Sequence, residues 1–262
     1  MANMSCWTSL YGDWFDAERI LFEYFTMGSG GFHDAVAQPL QQVDRVVNSI
    51  PLKGDLLIAY GISTGTHLLF PACNNFKEII VVDFLDRNIQ LIEKWQKKDP
   101  KTFSWKRAIE CLYENEEERE KWFEREEKTR TIIKQVVRAE FTEEAMHAPP
   151  SLPQADCLFS PFFLNHLCPT KEAFATSVKN MSSMLKVGGH MLMHVFIGAT
   201  FFMQGNFKLP MFCIDEESVK KVVSKSGFVI LETEMNKRVN PKFSTFDFTA
   251  IMFLFACKER DV

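Results

Sequence analysis

The stretch KGDLLIAYGISTGTHLLF, residues 53–70, runs from an apolar segment through a glycine-bearing turn into a helix-like segment. In an α/β protein that succession opens a nucleotide-type cofactor site. The strand brings the chain to the carboxyl edge of a sheet, and glycines let the backbone approach a ligand closely. Leu56, Leu57 and Ile58 supply the strand and Gly61 the first glycine, but Ser63 stands where a second is expected. A Cβ there is tolerated only at negative φ, unless Gly65 relocates the turn.

Outward from this segment, short apolar runs alternate with amphipathic ones, the pattern of a doubly wound parallel sheet. Strands are predicted over 55–60, 78–83, 135–140, 155–160, 190–196, 228–235 and 246–257. Segments 14–27 and 32–48 carry helical apolar spacing. Residues 1–50 are therefore predicted as an N-terminal helical cap over the open end of the sheet, and 51–262 as the core of a single domain. Asp215 is placed to cap a helix with Val219, Val222 and Val223 on one face, and Gly227 to end it. The charged segment 114–130 pairs Glu117 with Lys121 and Glu126 with Arg130 at i,i+4, and reads as a solvated helix anchored by Trp122 and Phe123 rather than as an acidic docking face.

At 262 residues and 46% hydrophobic, the chain has enough apolar content for one large core. A net charge of −4 without a Lys/Arg cluster argues against a nucleic-acid partner. No run reaches the roughly 18 apolar residues of a membrane span. The seven cysteines are odd in number and form no C-x-x-C pair, so neither a disulfide framework nor a metal site is indicated, and the reducing cytosol is the expected compartment. Nothing resembles a dimerisation element, and a monomer is expected.

Ligands of open α/β sheets lie beyond the carboxyl ends of the strands. After the second strand come Asp83 and Asn88. Asp83 is placed either to accept both hydroxyls of a ribose or simply to cap the next helix.

Several longer strings decide what kind of site this is: KGDLLI at 53–58, FKEIIVVDFLDRN at 76–88, IEKWQKKDP at 92–100, EEKTRTIIKQV at 126–136, ADCLFS at 155–160 and MLKVGGH at 184–190. Together they resemble the family of nicotinamide, indolethylamine and phenylethanolamine N-methyltransferases. The resemblance implies a Rossmann-like seven-stranded methyltransferase fold, S-adenosylmethionine as cofactor, and transfer of its methyl group to the nitrogen of a small amine or heteroaromatic. It further implies that Gly61, Ile62, Asp83, Asn88, Glu140 and Phe141 contact the cofactor while Tyr24, Phe25 and His67 close over it. Asn165, His166, Val195 and Met211 fall where the substrate would lie.

Several of these positions depart from the family pattern. Ile-Asp-Ile-Gly-Ser-Gly-Pro is matched by Ile58-Ala59-Tyr60-Gly61-Ile62-Ser63-Thr64, so a carboxylate, a serine and a glycine are replaced. A threonine becomes Pro161, an Asp-Val step becomes Glu140-Phe141, and an aspartate and a serine that would hold nicotinamide become Val195 and Met211. Two or three lost hydrogen bonds at about 1–1.5 kcal/mol each weaken cofactor binding by roughly 10²–10³-fold. The apolar replacements argue against nicotinamide as substrate, because a site that reads an amide needs polar partners.

Methyl transfer from a sulfonium to an amine proceeds by positioning and desolvation and needs no general base when the amine arrives unprotonated. His166 or His194 would be a proton acceptor or a histidine satisfied in a packed segment. Phe162, Phe163, Phe201 and Phe202 form either an aromatic pocket or plain core. Two readings follow: an S-adenosylmethionine-dependent N-methyltransferase held together by Gly61, Asp83 and Asn88, or a non-catalytic descendant that binds another small molecule or a protein. Ala59, Ile62, Ser63, Pro161 and Val195 favour the second.

Overall fold

The fold is taken from a computed structural model that describes residues 4–24, 32–63, 65–141, 146–147, 151–238 and 246–262. All seven predicted strands are present: β1 (Gly54–Tyr60), β2 (Phe76–Asp83), β3 (Ile133–Arg138), β4 (Ala155–Pro161), β5 (Leu185–Ile197), β6 (Phe228–Lys237) and β7 (Ala250–Lys258). They form one sheet in the order β3-β2-β1-β4-β5-β7-β6. β1 to β5 pair in parallel, and β7 runs antiparallel between β5 and β6. The order reverses between β1 and β4, which opens a crevice at their carboxyl ends.

The apolar run in β1 reflects burial on both faces. Leu56, Ile58 and Tyr60 join a core with Val178, Met181 and Val223, while Leu57 and Ala59 pack with Val43, Val47, Leu69 and Trp95. Asp156 ties β4 to the start of β1, its Oδ2 accepting from the backbone N–H of Asp55 (2.7 Å) and Leu56 (3.0 Å). The helix Glu116–Ile132 is capped by Asn115, whose side chain accepts from the N–H of Glu117 and Glu118, and its Trp122 is buried. Asp215 caps Glu216–Lys225 by accepting from Ser218 N–H at 2.7 Å, and Gly227 follows at φ +87°.

Several elements differ from the predicted ones, among them the fifth strand, which starts at Leu185 rather than at 190. The third strand stops at Arg138; Glu140–Phe141 forms a separate short strand with Met146–His147. The seventh starts at Ala250, and Phe246 only bridges to Phe202. Instead of one helix over 14–27 there are two, Met4–Trp14 and Ala17–Tyr24, because Asp16 breaks the run and its side chain accepts from Arg19 N–H at 3.0 Å. The segment after the glycine turn is a 3-10 helix, Thr66–Asn74.

A hairpin, Phe201–Gln204 with Phe207–Pro210, was not foreseen. Met4–Trp14 and Ala17–Tyr24 pack against this hairpin. By contrast Gln38–Ser49 packs on Thr66–Asn74 and belongs to the flanking layer. Its N-terminal extension His33–Ala37 is a π-helix.

Candidate functional site

A cavity of about 130 Å³ opens at the crevice beyond β1 and β4. Its floor is the turn after β1, its far wall the segment after β4, and its roof the cap. Gly61, Ile62, His67 and Asn88 line it at one end and His166 at the other, with Phe162, Phe163, Phe196 and Phe202 between. Of the four phenylalanines expected together, Phe162, Phe163 and Phe202 wall a space with Phe196 and are more than plain core, whereas Phe201 is off the wall with Lys208 over its ring.

The turn keeps its shape through backbone bonds. Gly61 N–H donates to Val82 C=O (2.7 Å) and Gly65 N–H to Ile62 C=O (2.9 Å). Gly61 has φ +66°, and a Cβ built there would lie 2.0 Å from the Phe163 ring. That glycine therefore makes room for an aromatic ring of its own chain. Ser63 has φ +50°, contrary to the negative φ its side chain was expected to require. Gly65 closes the turn at φ −73°, so it does not take over the left-handed position. Left-handed backbone costs a residue with a Cβ about 1–2 kcal/mol. The Ser63 hydroxyl is also buried without a partner, a further cost of about 1–3 kcal/mol.

Asp83 ends β2 and is fully buried. Its Oδ1 accepts from Leu85 N–H (3.0 Å) and Asn88 Nδ2 (3.1 Å), and its Oδ2 from Ser63 N–H (3.2 Å). Burial raises its pKa to about 6, although these hydrogen bonds pull the other way. The carboxylate thus couples the turn to the helix Asp86–Gln96. Asn88 Oδ1 is buried and unpartnered on the cavity wall. Ser63 Oγ and Asn88 Oδ1 are two buried polar atoms without partners on residues that line the cavity, a donor and an acceptor that fit a hydroxyl-bearing ligand such as the implied cofactor.

At the opposite end, Tyr11 donates its hydroxyl proton to Pro210 C=O at 2.6 Å. A phenol has one proton, so in the 3.2 Å contact between Tyr11 Oη and His166 Nδ1 the histidine must be the donor. The lone pair of the His166 ring is then on Nε2. Burial lowers the His166 pKa to about 3, which keeps the ring neutral. His67 stacks on Trp105 with centroids 3.8 Å apart. Its pKa falls to about 3, first through burial and second through His194. His194 bonds Gln42 Oε1 through Nε2 at 3.1 Å on the flanking helix Gln38–Ser49, while its Nδ1 is buried without a partner, so the ring is held in the packed core but only half satisfied.

Other expected site residues lie elsewhere. Asn165 is fully buried and pins the chain, its Nδ2 donating to Phe196 and Phe212 C=O and its Oδ1 accepting from Phe196 N–H. Val195 and Met211 are buried and off the cavity wall, because alternation along β5 turns Val195 away where Phe196 faces in. Glu140 is exposed in its short strand, paired through Phe141 with Met146–His147. Tyr24 ends the helix Ala17–Tyr24, and Phe25 lies outside the described residues.

Sequence reasoning missed Asp34 and Arg238, which also line the cavity. Asp34 is buried, on the π-helix His33–Ala37, an irregularity common at functional sites. Its residue type in an apolar helical segment was the only hint. Arg238 just follows β6 and lies over the Phe248 ring; nothing local marks it.

Solved structures share this architecture. The chain resembles the magnesium protoporphyrin IX methyltransferase of Synechocystis PCC 6803 with bound SAM, at a TM-score of 0.58, 12% identity and 98% coverage of both chains. It also resembles the N-methyltransferase NodS of Bradyrhizobium japonicum WM9 in complex with S-adenosyl-L-homocysteine, at 0.52 and 12%, covering 93% of this chain and 99% of that one. At such identities the likeness concerns the fold. In sequence, the chain is 33% identical over 225 residues to the nicotinamide N-methyltransferase of Sus scrofa, covering 84% of each. It is 28% identical over 220 residues to the indolethylamine N-methyltransferase of Mus musculus, covering 83% of each. The model of the NNMT/PNMT/TEMT family matches residues 6–259, and the chain belongs to that family.

Proposed function

We propose that this protein is an S-adenosylmethionine-dependent N-methyltransferase for a small, fairly apolar amine or heteroaromatic other than nicotinamide. The observation that carries the reading is the aromatic cavity between two polar ends, Asn88 with Asp83 behind it at one and the His166 ring at the other. The cofactor, when bound, supplies an electrophilic methyl group. Asn88 and the Gly61–Ser63 turn would hold its ribose end.

His166 Nε2 would accept a hydrogen bond from the N–H of the incoming amine, turning the nitrogen lone pair toward the reacting methyl carbon. Tyr11 fixes the tautomer that this requires. The phenylalanine walls exclude water and offer their faces to a cationic or flat ligand. The phenyl rings around His166 support a fairly apolar acceptor, whereas Val195 and Met211, the positions where an acid and a serine would read an amide, are off the cavity wall. The same reading takes the chain as a single-domain monomer of the cytosol; among the described residues no helix is long and apolar enough to cross a membrane.

A second reading, binding without catalysis, is favoured by two observations: Asp83 is already engaged by three donors of its own chain, and Phe163 rests against Gly61. Calorimetric titration with S-adenosylmethionine and S-adenosylhomocysteine separates the two. Micromolar binding of both, followed by methylation of at least one member of an arylalkylamine panel and none of nicotinamide, is the expected result. No heat up to millimolar ligand would make the non-catalytic reading primary, and methylation of nicotinamide would overturn the substrate assignment.

A further inference from the structure

Formal charge is scarce in the cavity. Among the described residues that line it, only Asp34 and Arg238 carry one once the histidines are neutral, and apolar side chains supply most of the rest. In surroundings of low polarity a charge acts on a ligand more strongly than in water, so these two side chains select what enters. Asp34 is buried, with His33 Nδ1 at 3.5 Å from its Oδ1.

Arg238 is half-buried and held at both ends. Its backbone N–H donates to Thr249 C=O at 3.2 Å, which continues the pairing of β6 with β7 past Lys237. Its guanidinium carbon lies 5.2 Å from the centre of the Phe248 ring. A ring face attracts a cation but contains no oxygen. It steadies the guanidinium without filling the place of a planar carboxylate, which takes two parallel N–H bonds.

The aromatic wall sets this cation in a fixed relation to His166. Phe196 meets the His166 ring edge-on, 6.2 Å between centres, and lies 4.5 Å from Phe246 and 5.2 Å from Phe248, the ring beneath Arg238. Phe202 likewise joins His166, at 5.0 Å, to Phe246, at 6.0 Å. A ligand lying along this surface meets a neutral acceptor nitrogen at one end and a permanent cation at the other, with phenylalanine rings between. A guanidinium stays protonated at any physiological pH, so it repels an ammonium and attracts an anion.

We propose that Arg238 is a specificity-determining residue for the methyl acceptor and receives a carboxylate at the end of the molecule remote from the nitrogen. The acceptor class is thereby narrowed to an amine or heteroaromatic with an apolar body and an acidic far end. The inference rests on the N-methyltransferase reading above, because the nitrogen is the group placed at His166. Arg238 lies away from the reacting atoms and holds substrate and transition state alike, so its effect falls on KM.

The test pairs para-(aminoethyl)benzoate and the longer para-(aminoethyl)phenylpropanoate with their carboxamides, which match them in shape and lack the charge. Binding is followed by calorimetry in the presence of S-adenosylhomocysteine, and turnover by methylation with S-adenosylmethionine. In wild type, at least one carboxylate is expected to bind about 10- to 100-fold more tightly than its carboxamide, the range of a hydrogen-bonded charge pair. Arg238→Gln should cancel that preference by weakening the carboxylate, and Arg238→Lys, which keeps the charge but not the fork, should retain part of it. Thermal unfolding checks that both variants fold; where Arg238→Gln does not, the wild-type ratio and Arg238→Lys decide. Equal affinity for acid and amide in wild type, or no binding of either carboxylate, overturns the proposal, as does a preference that survives in Arg238→Gln. A carboxylate preference that depends on Arg238 without turnover of any amine keeps the anion site and removes the catalytic reading; methylation of the amines without such a preference does the reverse.

Discussion

Asp83 concentrates the electrostatics of the site in one residue. Its pKa is raised by burial to about 6, so the folded state favours the protonated acid. The stability this gives is present in full below the ordinary carboxylate range and is lost as pH rises through about 6. In urea unfolding, wild type should therefore lose about 3 kcal/mol relative to Asp83→Asn between pH 4 and 7. A pH-independent difference would show that Asp83 is not buried as described. Asp83→Ala leaves the Ser63, Leu85 and Asn88 donors without their acceptor, and is expected to abolish S-adenosylhomocysteine binding. Unchanged calorimetric affinity in that variant would remove Asp83 from the site altogether.

Among the elements, the turn between β1 and Thr66–Asn74 and the segment after β4 depend on each other. Gly61→Ala would drive a Cβ to 2.0 Å from the Phe163 ring at φ +66°. Overpacking of about 1–3 kcal/mol adds to backbone strain of about 1–2 kcal/mol, so a loss of some 2–5 kcal/mol is expected in denaturant unfolding. In the Phe163→Ala background the steric part should vanish and only the backbone part remain, a non-additivity that a double-mutant cycle measures. Additive effects would mean that the ring and the glycine do not touch. Gly61 and Phe163 were each legible as site candidates but their contact was not: a glycine after a strand is a local signal, whereas the ring that needs it is contributed from about a hundred residues away.

For the whole molecule, three histidines buried in the fold, His67, His166 and His194, have pKa values lowered to about 3. They are neutral when folded, so their contribution is present above the ordinary histidine range and is lost as pH falls below it, where the unfolded chain takes up three protons. Asp83 opposes them, binding one proton in the folded state between about pH 6 and 4. The net uptake of about two protons on unfolding gives a slope of roughly 3 kcal/mol per pH unit, enough to remove a typical domain stability of about 10 kcal/mol within three to four units. Unfolding free energies measured from pH 6 to 4 should show this slope, and His194→Gln should lower it by about one proton. A flat profile would contradict neutral burial of all three.

Local patterning and composition determined the strands, the cap at Asp215, the turn at Gly61 and the membership of the family, because each depends on neighbours within a few residues or on strings long enough to be matched. The strand order, the hairpin Phe201–Gln204 with Phe207–Pro210, and the division of site residues were decided only in three dimensions. Asn165 and His166 are adjacent in sequence, yet one pins a strand and the other faces the cavity. Val195 and Phe196 divide in the same way through the pleat of β5. Asp34 and Arg238 reach the cavity from segments that carry no site signal. Whether a polar atom meets a partner, a ring or a ligand depends on what long-range packing places opposite it, and that information is spread over the chain rather than written at the residue.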